Sequence, residues 1–301
     1  MRPRLELSDE ADFSSSEDFQ IRSLLNSFSL TGGKNIRFYI GQALADLMGV
    51  ERKQVQPYLR VAEWLHSATL LHDDVIDNSL ERRGRPSLNA ETSNRQAVLA
   101  GDYLLAKVVS ALGKLGSLQA IQSISHCLEE IVEGEWLQLE LLDQVTVSRG
   151  CLEKIAVKKT ARLFEWTAMC PTFVSDLGHD VESLKLFGRQ VGLAFQMIDD
   201  VLDYQRQTGK PYLQDLRERR LNFVSQDLVS RFPELESNWT WDPQKPAWTE
   251  VQLNTSLAEI RLQVRVICQS LRILISQLST GDQSGSRGLE DLIDLLEERA
   301  R

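Results

Sequence analysis

Cysteine, proline and positive charge are all in short supply. The 301 residues include four cysteines and eight prolines, and the formal net charge is −9. Cys127, Cys151, Cys170 and Cys268 show no CxxC spacing. That excludes a zinc-ribbon site and a disulfide framework, and fits isolated thiols in a reducing, cytoplasmic setting. The acidic balance speaks against nonspecific nucleic-acid binding as the main role. No apolar run approaches the roughly 20 residues of a membrane-spanning helix, and the N-terminal stretch has no apolar core of the signal-peptide kind. Long stretches also lack β-branched alternation, and no part reads as a βαβ unit.

The pattern that is present is helical. With 42% apolar residues, the chain can bury a full core. Helices are expected through Phe38–Leu47, Arg52–Leu71, Ala97–Leu115, Ser117–Leu142, Gly150–Cys170, Val181–Tyr204 and Leu253–Leu278. A short terminal helix is expected over Leu289–Arg301, after a break at Gly281–Gly288. The fold class expected is all-α, a helical bundle around a central apolar cavity. Residues 1–20, with six acids and three consecutive serines between Met1 and Phe19, read as a mobile acidic tail. That leaves 21–301 as a single helical domain. Ser237–Thr249, with three tryptophans, is the clearest non-helical insertion.

Two stretches stand out within this pattern. Leu70–Pro86 reads LLHDDVIDNSLERRGRP and Phe195–Asp203 reads FQMIDDVLD; each holds D-D-x-x-D, the second beginning 126 positions after the first. On a helix Asp73 and Asp77 stand one above the other with Asp74 about 100° round, and Asp199, Asp203 and Asp200 repeat that arrangement. One acidic face of this kind is commonly the solvated edge of an amphipathic helix. Two, each preceded by apolar residues, read as facing carboxylate walls that need compensating charge. Carboxylates are hard oxygen ligands, and beside phosphates they point to Mg²⁺.

Basic residues cluster near these acids. In Gly32-Gly33-Lys34-Asn35-Ile36-Arg37 the glycines permit a tight turn, and Lys34 and Arg37 can face one anion. Glu63 and His66 share a side of the helix before the first acids; His66 is read either as a ligand contact or as a satisfied structural residue. Arg82-Arg83-Gly84 forms a basic loop past Asp77, and arginine's fork matches phosphate oxygens. Lys158-Lys159-Thr160 enters an apolar helix, either as a solvated face or as an anion contact. Gly134, Glu135 and Gln138 interrupt another helix, marking a cavity wall or a polar contact between helices. Gly209-Lys210-Pro211 follows the second acid cluster, and Asp215–Arg220, DLRERR, reads as a flap or an exposed turn.

Together and in order, these segments resemble the trans-type isoprenyl (polyprenyl) diphosphate synthases over about Gly32 to Asp215. The matching motifs are GGKxxR, E-x-x-H, HDDVID followed by RRG, AGD at Ala100–Asp102, KT at Lys159-Thr160, and FQxxDDxxD followed by GKP and Asp215. The resemblance implies a helical bundle, usually a homodimer and sometimes a heteromer, that condenses isopentenyl diphosphate with an allylic prenyl diphosphate. It implies a three-ion Mg²⁺ site on Asp73, Asp74 and Asp77 and on Asp199 and Asp200, with Asp203 at its edge. Arg82, Lys159 and Lys210 would hold the allylic diphosphate, and Lys34, Arg37, His66 and Arg83 the isopentenyl diphosphate. Thr160 and Gln196 would line the reacting region. Ala68 and Thr69 are small where bulky aromatics would stop elongation near fifteen carbons, so the implied product is C20 or longer. Release of that product implies peripheral contact with a membrane.

The chain also departs from that family's pattern. Arg219, Arg220, Asn222 and Val224 stand where Gly, Lys, Thr and Pro are usual, and Asn35 and Phe38 replace Arg and Pro. Three other readings compete. A class I terpene cyclase shares the first acid motif but pairs it with an Asn/Ser/Glu-type second one and needs no isopentenyl diphosphate pocket. A regulatory subunit of a heteromeric synthase usually loses one or both aspartate motifs. A nonenzymatic helical scaffold leaves the paired acid and base clusters unexplained.

Overall fold

A computed structural model describes residues 25, 35–82, 84–175, 181–205, 212–278 and 283–300. The tail expected at 1–20 lies outside the described residues, as do Lys34, Arg83 and Lys210. In order come α1 (Ile36–Leu47), α2 (Arg52–Ile76), a hairpin of β1 (Glu81–Arg82) and β2 (Arg85–Pro86), α3 (Leu88–Glu91), α4 (Asn94–Leu115) and α5 (Leu118–Glu140). They are followed by α6 (Arg149–Ala156), a π turn (Val157–Ala161), α7 (Arg162–Met169) and α8 (Val181–Asp203). The chain continues through α9 (Gln214–Arg217), α10 (Phe223–Arg231), α11 (Glu234–Asn238), α12 (Glu250–Leu278) and α13 (Gln283–Arg299).

Helix starts follow capping chemistry. Ser93, Ser117 and Ser148 each accept the backbone N–H three residues on, at 3.3, 3.2 and 3.2 Å, satisfying donors that a helix leaves unpaired at its first turn. Gly116, at φ 69°, ends α4 in the left-handed conformation. The apolar stripes meet along α2 with α4, α7 with α8, α8 with α12 and α13 with α1. Leu44, Leu59, Phe164 and Phe187 are fully buried where these faces converge.

Two glycine faces determine how closely the central helices approach. A Cβ at Gly192 of α8 would lie 2.4 Å from the Ala161 Cα, and one at Gly188 would lie 2.5 Å from the Glu165 Cα. From the other side, a Cβ at Gly134 of α5 would lie 2.9 Å from the Lys159 backbone nitrogen. The segment Val157–Ala161 runs between them. Gly150–Cys170, expected as one helix, is therefore interrupted: its middle is a π turn, a widened turn common at functional sites. The polar interruption at Gly134 marks this close helix contact.

A second expectation changes at the C-terminal end. Of the break expected over Gly281–Gly288, the part from Gln283 on is helical, because α13 begins there. A Cβ at Gly285 would lie 2.3 Å from the Leu47 backbone nitrogen, and the Tyr39 hydroxyl donates to the Gly288 carbonyl at 3.0 Å. These two glycines let α13 pack on α1 and do not break it. The basic loop after Asp77 is likewise ordered into the hairpin, with Arg82 opposite Arg85 and Gly84 at φ 75°.

Gly192→Ala is expected to destabilise the protein by about 2–3 kcal/mol, since the new methyl meets backbone that cannot move aside. Gly113→Ala in α4, where a Cβ meets nothing within 4 Å, is expected to gain about 0.5–1 kcal/mol. Urea unfolding midpoints of the two variants check the contrast.

Candidate active site

Both acid motifs occupy the last turn of their helices. Asp77 is the C-cap of α2, and its N–H bonds the Asp73 carbonyl at 2.8 Å, keeping the two acids one turn apart. α8 ends on Asp203, and neither last turn holds a basic residue. Carboxylates there face the negative ends of two helix dipoles, an arrangement that calls for cations.

The acids differ in what they already hold. Asp74 is buried and takes the Arg82 fork through contacts of 2.6–2.8 Å. Asp203 accepts the Gln214 N–H at 2.8 Å and so tethers α9. Asp200 accepts from Gln196 Nε2 at 2.8 Å and from the Phe223 N–H at 2.9 Å. Burial raises the Asp200 carboxyl well above the usual range, and Asp215 and Asp199 add to the shift. Asp73 is pushed up to about 6, first by burial and then by Glu135 and Asp77, against the opposing pull of Lys159.

The π turn joins the two motifs. Lys159 pairs with Glu135 and donates to Gln138 Oε1 at 2.7 Å, beside Asp73. The next residue, Thr160, donates to Gln196 Oε1 at 2.7 Å, and Gln196 in turn donates to Asp200. Asp77 lines a cavity of about 170 Å³ together with Glu135, Gln138, Glu218 and Arg220, with Ile76, Leu139 and Leu142 on its apolar side.

The structure thus gathers Asp73, Asp77, Lys159, Thr160, Gln196 and Asp200, and adds Glu135, Gln138, Asp215 and Arg220. Arg37 lies 4.4 Å over the Phe164 ring. That ring packs on Phe195 at 5.6 Å, and Arg299 covers Phe195 at 5.5 Å while reaching within 3.7 Å of Asp199. Arg299 and Glu135 were missed as site residues; their approach is long-range, and only the polar break in α5 hinted at Glu135. His66, Ala68 and Thr69 lie one to two turns back along α2, where Ala68 is buried and the Thr69 hydroxyl donates to the His66 carbonyl at 2.9 Å. The AGD motif serves packing: a Cβ at Gly101 would lie 2.3 Å from His72 Nε2, and Asp102 sits 3.4 Å from the same nitrogen.

The departures around Arg219–Val224 support one another. Arg219 adopts φ 57°, where the family pattern has glycine. Its guanidinium reaches Asp143 at 2.8 Å, and its carbonyl accepts the Asp143 N–H at 3.0 Å. Asn222 caps α10 by accepting the Val224 and Ser225 N–H groups at 3.1 and 3.0 Å. A proline at 224 would lack the first of these donors, so Asn222 and Val224 belong together. Asn222 Nδ2 also donates to Asp215 at 2.8 Å. DLRERR is therefore only partly an exposed turn: Arg219 is exposed and Arg220 points inward, its side chain 12% accessible.

The donor set fits Mg²⁺ in kind, being hard carboxylate oxygens, two of them raised chiefly by burial. Among the described residues, no three potential metal ligands are already grouped at coordinating distance.

The fold and site define a helical bundle with paired carboxylate motifs, joined through Lys159, Thr160 and Gln196. The sequence profile of the polyprenyl synthetase family matches residues 20–239. The octaprenyl diphosphate synthase of Escherichia coli (strain K12) is 36% identical over 206 residues, 67% of this chain and 64% of that protein. The match thus spans slightly under two thirds of that relative's length. A decaprenyl diphosphate synthase from Rhodobacter capsulatus superposes with a TM-score of 0.81 at 29% identity, covering 95% of this chain and 92% of that one. A polyprenyl synthase from Caulobacter crescentus CB15, solved with calcium and isoprenyl diphosphate, gives 0.82 at 27% identity, covering 95% and 90%. The chain belongs to the polyprenyl synthetase family.

Asn222→Ala is expected to cost about 1–2 kcal/mol through loss of the α10 cap. Thermal unfolding of the metal-free protein reads this loss.

Proposed function

We propose that the protein is a Mg²⁺-dependent trans-prenyltransferase. It condenses isopentenyl diphosphate with an allylic prenyl diphosphate, giving an all-trans polyprenyl diphosphate of C20 or longer and releasing diphosphate. The observation that carries this reading is the π turn: Lys159 stands with the first acid motif and Thr160, through Gln196, with the second. One backbone segment thereby spans both carboxylate walls.

In this reading Asp73, Asp77, Asp199 and Asp200 hold the divalent ions, with Asp74 and Asp203 supporting from their own hydrogen bonds. Mg²⁺ would supply charge to stabilise the departing diphosphate. Arg82, Lys159 and Lys210 orient the allylic diphosphate and offset the negative charge that develops as its carbon–oxygen bond breaks. Lys34, Arg37, His66 and Arg83 hold isopentenyl diphosphate, whose double bond attacks the allylic carbon. The proton then lost goes to the released diphosphate, so no protein base is needed. The apolar cluster of Ala68, Leu71, Ala97, Ala100 and Leu104 between α2 and α4 excludes water and accommodates the growing chain.

A homodimer fits the surface, since α4 and α5 leave Leu99, Val109, Val132 and Trp136 exposed. A cytoplasmic location with peripheral membrane contact suits four cysteines that are all unpaired, and 21–301 is taken as one catalytic domain. No helix among the described residues is long and apolar enough to cross a membrane.

Incubation with Mg²⁺, isopentenyl diphosphate and C5, C10, C15 or C20 primers is expected to give a product ladder ending at one length of C20 or more. Ala68→Phe is expected to shorten it toward C15. Cyclic hydrocarbons formed without isopentenyl diphosphate would move the assignment to a cyclase; a wholly inactive chain would move it to a subunit needing a partner.

The raised Asp73 carboxyl gives a second test. Titrating at about 6 in the folded chain and near 4 unfolded, Asp73 contributes stability below pH ~4 that is lost as pH rises through about 6. A divalent ion binds the ionised form, so Mg²⁺ affinity is expected to climb with pH through about 6, by up to about tenfold per unit for Asp73 alone, and Asp200, also raised by burial, extends the climb. Asp73→Asn is expected to flatten that slope; calorimetric titration in buffers of different ionisation heat reads both affinity and proton release.

A further inference from the structure

We propose that Arg220 is a built-in occupant of the cation site, bridging Asp77 and Asp215 in the metal-free protein, and that divalent ions enter by displacing it when the Arg219–Asp143 clasp opens. The proposal rests on reading this carboxylate cluster as the divalent-ion site.

Position is the first argument. The Arg220 guanidinium lies 3.5 Å from both Asp77 carboxylate oxygens and 4.0 Å from Asp215, and contacts Glu218. It therefore draws on α2 and on the segment after the second acid motif at once. Burial works against its charge, but Asp215, Asp77, Glu135 and Asp73 together hold it firmly protonated. Lys159 is paired with Glu135 and Arg82 with Asp74, so at Asp77 and Asp215 a guanidinium and a metal ion would compete for the same oxygens.

Looseness is the second argument. Arg82 grips Asp74 through three contacts of 2.6–2.8 Å, whereas Arg220 stands at the outer limit of hydrogen-bond distance from Asp77, and its buried Nε has no acceptor. Arg82 is fixed in place. Arg220 pairs closely with Glu218 of its own segment; toward Asp77 and Asp215 it is held mainly by charge, in a geometry that a competing cation can break.

The third argument is the clasp that aims it. Asp143 and Arg219 both adopt positive φ, 64° and 57°, a conformation that side chains other than glycine rarely take. Their side chains are 58% and 61% accessible, and exposed ion pairs are weak and salt-sensitive. A weak, strained clasp lies next in sequence to a loosely held counter-ion, so opening the one frees the other.

Calorimetric titration of the full chain with MgCl₂ alone, and again with inorganic diphosphate, tests this. Arg220→Gln is expected to bind Mg²⁺ alone at least tenfold more tightly than wild type, with a melting temperature lowered in chelator and restored by Mg²⁺. Asp143→Ala, which removes both the charge and the side-chain acceptor and disfavours positive φ, decides between displacement and plain electrostatics. Loss of a negative charge by field alone weakens Mg²⁺ binding; opening the clasp instead strengthens it, by about threefold. Unchanged or weaker binding by Asp143→Ala overturns the proposal, as does Arg220→Gln binding no tighter while folded by circular dichroism. If Arg220→Gln does not fold, Asp143→Ala decides alone. Wild-type binding with diphosphate alongside either negative result leaves the divalent-ion reading standing; no Mg²⁺ binding by any protein, with or without diphosphate, overturns both.

Discussion

The structure depends on how closely the middle of the chain is pinned between α5 and α8. Gly134 and Gly192 bring backbone against backbone on both sides of Val157–Ala161, at distances where no side chain fits. A regular helical turn would carry Lys159 and Thr160 round at 100° per residue. The widened turn alters that step, and the two residues reach different acid motifs. Packing, rather than any local preference of the sequence VKKTA, positions these polar groups.

Charge is the second constraint. Six carboxylates stand at helix C-termini, where the dipole opposes them, and the chain supplies cations of unequal grip: Arg82 on Asp74, Lys159 on Glu135, Arg299 near Asp199 and Arg220 loosely on Asp77. Burial is the main cause of the raised Asp73 and Asp200 carboxyls, and neighbouring acids add to it. A site balanced in this way is stable enough to fold and still has unmet demand for positive charge, as suits a pocket for metal ions and diphosphates.

Much of this was legible in the sequence. The helices and both acid motifs followed from periodicity, because apolar residues at helical spacing and D-D-x-x-D within them leave few other arrangements. The π turn was not legible, since a local widening leaves the apolar spacing almost unchanged. Gly285 and Gly288 read as a helix breaker because glycine needed for close packing looks the same in sequence as glycine needed for a turn. Arg299, Glu135 and the Asp143–Arg219 pair depend on contacts across many elements, which no local pattern encodes. The departures at Asn222 and Val224 form one cap, in which the Asn222 side chain accepts the Val224 N–H.

The tryptophan-bearing stretch has a consequence of its own. Trp248 stacks near Tyr204 at 5.8 Å, Trp239 lies 5.3 Å from Trp248, and the Tyr204 hydroxyl donates to Asn222, which in turn donates to Asp215. Aromatic rings within energy-transfer range of one another are thus wired by two hydrogen bonds to a carboxylate of the site. The aromatic cluster packs on the same side chain, Tyr204, that hydrogen-bonds the Asn222 cap beside the site, so the tryptophan-bearing stretch and the segment after the second acid motif share one support.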